Sequence, residues 1–282
     1  MAERALGPAN ARWGRLGRRW AWVAVLVVGW ILYELVRAAV VTTGNPNLVP
    51  ALILLGAAVF PLTFLAFISE RRLVFGVGPG LVGMTALLGG VVGVVVAGTL
   101  EYDTLVGLGF VPMIAVGLIE EAAKLLVPAA VLLLLLRSDR HPADGLLLGV
   151  ASGAGFAVLE TMGYAFVALI RSGGDLAVVN TVLFERGLLS PAAHMAWTGL
   201  AAAALWHAAI EHWNGRAVAR FVGVFVLVVL LHAAWDSVAS AWAYAVLALI
   251  SLGLLTWTTH RLETQDRYAR RSGSPGGSAG AP

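Results

Sequence analysis

The sequence predicts an all-α polytopic membrane protein of about eight transmembrane helices, with a chemically active core in helices four to seven. Three observations carry that reading. Of 282 residues, 59% are hydrophobic and only 12% charged, against roughly 25% charged in soluble domains. Mean hydropathy is +0.85. Apolar runs long enough to cross a bilayer follow one another along the chain, with arginines between them.

The runs lie at about 20–41, 48–68, 76–99, 107–136, 144–170, 188–210, 219–237 and 239–259. The first follows a basic tail, exceeds a signal-peptide core and lacks a clear small-residue cleavage site, so it reads as an uncleaved anchor. Gly76, Gly80, Gly89 and Gly93 mark the third as a close-packing helix. The fourth and fifth are long, which predicts tilt or extension beyond the bilayer. In the fifth, Gly145, Gly149 and Gly153 stack on one face for tight helix contact. The stretch 219–259 is too long for one crossing and turns near Ser237–Ser240. This divides the chain into a basic tail (1–19), a multi-span domain (20–260, motif-bearing core about 105–240) and a basic, then disordered tail (261–282).

Arginine placement sets the expected orientation. With a cytoplasmic N-terminus, fifteen arginines fall inside, against Arg171 and Arg186 outside. Both termini are then cytoplasmic and the expected location is the cell membrane. The arginines flank spans and form no basic face, so the partner they imply is the lipid bilayer and not nucleic acid. The chain has no cysteine, so a metal would be held by His, Asp or Glu.

Ionised groups at bilayer depth are costly and persist only when paired, wetted or used. The fourth run nevertheless contains Glu120-Glu121-Ala122-Ala123-Lys124. Others inside spans are Glu34, Arg37, Glu160, His194, His207, His232 and Asp236. Counting about 1.5 Å per residue puts Glu120, Glu160, His194, His232 and Asp236 roughly 18–26 Å from the cytoplasmic helix ends. Four helices thus bring carboxylates and imidazoles to one level. Glu120 and Lys124 share a face, as do His232 and Asp236, while Glu121 points about 100° away. Carboxylates with two histidines suffice to activate a water or bind a divalent ion. Glu34/Arg37 read as a local pair, and His207 as an interfacial residue.

The ordered set Glu120-Glu121-x-x-Lys124, Phe156-x-x-x-Glu160, His194 in SPAAHMAWT and His232-x-x-x-Asp236 in LHAAWD resembles the PrsW family of intramembrane proteases, relatives of the type II CAAX prenyl endopeptidases. In those relatives a His stands where Glu160 does, and an Arg follows the two glutamates after three residues. Lys124 follows after two, which favours the PrsW branch. The resemblance implies peptide-bond hydrolysis, with Glu120, Glu121, Glu160, His194, His232 and Asp236 catalytic and Lys124 and Phe156 on the substrate side. It also implies a possible divalent ion such as Zn2+ on Glu160, His194 and His232, and single-pass membrane proteins such as anti-sigma factors as substrates. The alternatives are a proton- or ion-coupled transporter and a non-catalytic scaffold. No inverted repeat supports a transporter.

Overall fold

The computed structural model describes residues 20–109, 111–135 and 141–272, and among these every regular element is helical. The helices are α1 (Ala21–Thr43), α2 (Val49–Ser69), α3 (Pro79–Leu108), α4 (Met113–Ala130), α5 (Pro142–Arg171), α6 (Leu176–Leu189), α7 (His194–Ile210), α8 (Gly215–Ser237) and α9 (Ala241–Ser272). Seven segments are long and apolar enough to cross a membrane. The exception among the eight expected is α4, whose 18 residues include Glu120, Glu121 and Lys124.

Two expectations are corrected. The sixth span is not one helix from 188. It is α6, a short 3-10 turn (Ser190–Ala192) and α7, and together these make one broken 35-residue segment long and apolar enough to cross. Pro191 cannot donate a backbone bond to the preceding turn, which favours a break there. Arg186 therefore lies on α6 and not in an external loop. At the other end, α9 continues as helix through the basic segment 261–271; residues 1–19 and 273–282, which hold the expected basic N-terminal tail and nearly all of the expected disordered segment, lie outside the described residues. The turn between the last two helices falls at 238–240, as expected.

Helix α5 is the central post. Methyl groups at Gly145, Gly149 and Gly153 would strike Trp206 and Ala202, then Thr198 and Ala202, then His194 and Met195. The partners descend α7 as the glycines ascend α5, so the two helices run antiparallel at the close approach that small residues allow. On its other side, Gly155 meets Ala86 and Gly90 of α3, and Gly89 meets Ser152. Gly80 faces open space. The larger core gathers Leu146, Val150, Met195, Trp197 and Trp206. A smaller one joins α1, α2 and α6 through Tyr33, Leu52 and Leu183, where the Tyr33 hydroxyl donates to Asn180 Oδ1 at 2.7 Å.

Candidate active site

Five helices contribute side chains to one buried polar network beside the break between α6 and α7. On α4, Lys124 Nζ lies 2.8 Å from Glu121 Oε1 and 3.0 Å from Glu120 Oε2. One ammonium thus bridges both carboxylates, because i,i+3 as well as i,i+4 residues are helix neighbours. The same Nζ is 2.9 Å from His194 Nδ1 and sits 4.4 Å over the Phe156 ring. Lys124 and Phe156, expected on the substrate side, are enclosed at 0% and 2% exposure. The backbone around Lys124 is tied to α5 by Ser152, whose hydroxyl donates to the Lys124 carbonyl.

The hydrogen-bond partners assign the imidazoles. An ammonium can only donate, so His194 Nδ1 accepts from Lys124, which leaves the proton on Nε2, 2.9 Å from Glu160 Oε2. His232 Nδ1–H donates to Glu121 Oε1 at 2.8 Å, leaving Nε2 turned toward Asp236 Oδ2 at 3.2 Å and Glu120 Oε2 at 3.5 Å. The His232 ring packs on Trp197 with centroids 4.9 Å apart, and Trp197 Nε1–H donates to Ser251 of α9. The six expected residues Glu120, Glu121, Glu160, His194, His232 and Asp236 therefore stand within one contact network. Within it exposure rises from Glu121 and His232, which are sealed, to Glu160 and Asp236 at the rim.

One member, Arg186, and one neighbouring carboxylate, Glu101, escaped sequence reasoning. Arg186 places a guanidinium nitrogen 2.6 Å from Glu160 Oε2 and stacks 3.8 Å from the Tyr164 ring. A helical register through the 180s would have pointed to it, but glycines and an aspartate upstream read as a long loop. Glu101 on α3 buries Oε1 without a hydrogen-bond partner and lies in the electrostatic field of Glu120, Glu160, His232 and Lys124. Its signal was the face it shares with Gly93 and Ala97 at four-residue steps. Glu34 and Arg37 pair with one another on α1, apart from this network.

Four carboxylates (Glu120, Glu121, Glu160, Asp236) face two fixed cations (Lys124, Arg186) and two imidazoles. That excess of negative charge in a buried setting, with oxygen and imidazole donors, fits a divalent ion in kind. A carboxylate behind His232 Nδ1 is the usual support of a metal-ligating imidazole. The donors are not drawn round a single point, however. Among the described residues no three His, Asp or Glu side chains are grouped to share one ion, the expected trio Glu160, His194 and His232 included.

A family model described as PrsW family intramembrane metalloprotease matches residues 72–259, which hold the whole network. No curated protein and no solved structure matches the chain. The match takes in two thirds of the sequence and all four motifs, and the chain belongs to the PrsW family of intramembrane proteases.

Proposed function

We propose that this protease cleaves single-pass membrane proteins of the anti-sigma-factor kind in the cell membrane, using a water activated by Glu120 and Glu160. The observation that carries the reading is the linkage of Glu120, Glu160, His194, His232 and Asp236, from four helices, in one chain of contacts that includes the buried Lys124 ammonium.

The division of labour follows from burial and partners. Glu121 is fully enclosed and accepts from both Lys124 and His232, so it positions rather than reacts. By fixing Nδ1–H it presents His232 Nε2 to Glu120 and Asp236. Glu160 stands at the rim, held by His194 and Arg186 as an acceptor for a proton from water. As that water attacks the scissile carbonyl, its proton passes to the carboxylate and then to the leaving amine. The Arg186 guanidinium, whose Nε is without a partner, supplies the donor that stabilises the negative charge developing on the carbonyl oxygen. A bound divalent ion would polarise the carbonyl or the water; it would draw on His232, His194, Glu160, Glu120 and Asp236, which would have to close round one point to hold it.

Co-expression with a candidate single-pass substrate tests the reading. Wild-type protein is expected to cleave it, whereas Glu120→Gln and Glu160→Gln are not. Unchanged cleavage by both variants would overturn the assignment of these two carboxylates to water activation.

A further inference from the structure

A cavity of about 540 Å³ opens beside the network and is lined by Thr161, Arg186, Ser190, His194, Trp235 and Tyr244 among others. That volume lies within the range of about 300–1,000 Å³ common to ligand sites. It is continuous with the network through His194 and through Arg186, whose guanidinium reaches Glu160. Its side walls are α6 and the start of α9, which share almost no contact with one another. The surface beside it is apolar: Leu188, next to the lining Leu189, and Val246 and Leu249, next to and one turn beyond the lining Ala245, are all exposed. The opening therefore faces hydrocarbon.

The floor is different in kind. Arg186 Nε is buried without a hydrogen-bond partner, Thr161 and Ser190 add hydroxyls, and the backbone itself is broken between α6 and α7. A membrane-spanning helix has its peptide groups satisfied internally, and unwinding it in lipid leaves them needing partners. An acyl chain needs none. We propose that this cleft is the lateral entrance and binding seat for the substrate. A transmembrane segment slides in between α6 and α9, and the stretch to be cut unwinds against Arg186, Ser190 and Thr161. The proposal rests on the proteolytic reading of the neighbouring network.

The natural absence of cysteine makes a clean test. Single cysteines at Leu189 and Ala245, and at the lipid-facing Leu88 of α3 as control, are introduced into the full-length chain in vesicles. The probe is a synthetic Leu/Ala helix of about 20 residues with one central cysteine, joined by a bifunctional maleimide. Several-fold more cross-linking at Leu189 and Ala245 than at Leu88 is expected, together with a raised KM and little change in kcat for Ala245→Trp, which narrows the cleft. Equal cross-linking at all three sites overturns the proposal, as does labelling of Ala245 by a photoactivatable phosphatidylcholine that the peptide fails to displace. If cleavage proceeds while cross-links form only at Leu88, the cleft falls and the protease reading stands. Cross-links at the cleft from a chain that cleaves no peptide would leave the cleft and remove the reading.

Discussion

Lys124 is the residue on which the network turns, because one buried ammonium serves Glu120, Glu121, His194 and the Phe156 ring together. Replacing one partner of a buried ion pair strands the other, at a cost of about 3–5 kcal/mol. Lys124→Met is therefore expected to lower thermal stability in detergent sharply, since Glu121 has no exposure through which water could reach it. Adding Glu121→Gln to the same chain removes the fully enclosed one of the two stranded charges and is expected to recover part of that stability but no cleavage. Recovery of both would mean that Glu121 does not orient His232. Arg186 gives a contrasting case. It is partly exposed, so Arg186→Lys is expected to keep the fold and lose activity, because a single ammonium cannot hold Glu160 and stack on Tyr164 as the planar guanidinium does. A steady-state assay beside a melting curve separates the two effects.

At the scale of helices, the seam between α5 and α7 decides where His194 stands. Gly149 faces the Thr198 carbonyl and Ala202, so Gly149→Leu meets backbone rather than a movable side chain. The penalty should exceed the ~1–3 kcal/mol of ordinary overpacking, with loss of monodisperse protein on size exclusion. Gly163→Ala on the same helix meets nothing within 4 Å and is expected to behave as wild type. Hydropathy and glycine spacing made most of this architecture legible. The runs located the helices, and the Gly145/Gly149/Gly153 spacing announced the tight face without naming α7 as its partner. The motif residues Glu120, Glu160, His194, His232 and Asp236 were legible because charge at bilayer depth is rare. The α6–α7 break was not, since apolar run length records crossings and is blind to a turn buried inside one. Glu101 was hidden for a related reason: α3 runs to Leu108, past the point at which its apolar character fades.

At the scale of the whole molecule, the contacts bring the arginine-rich helix ends to one side. Trp22 near the start of α1 packs on Phe67 near the end of α2, and Arg71 stacks on the same Phe67. The Gly76 N–H donates to Asp144 in the first turn of α5, and Gly145 one residue later lies against Trp206 near the end of α7. The segments bearing Arg71 and Arg72 and the turn before Arg216 and Arg220 therefore share a side with the start of α1, whereas Arg171 ends α5 at the far side. A bias of this kind follows from retention of Lys and Arg in the cytoplasm during insertion, so the arginine-rich side is expected to be cytoplasmic and the α5–α6 turn external. In the cysteine-free chain, Ser172→Cys is then expected to react with a membrane-impermeant maleimide in intact cells. Glu211→Cys, exposed in the turn between α7 and α8, should react only after permeabilisation. The reverse pattern would invert the protein. Glu160, roughly 18 Å along α5 from Ser172 at about 1.5 Å per residue, would then lie toward the cytoplasmic half of the bilayer, and the substrates to be sought would be those whose scissile bond lies there.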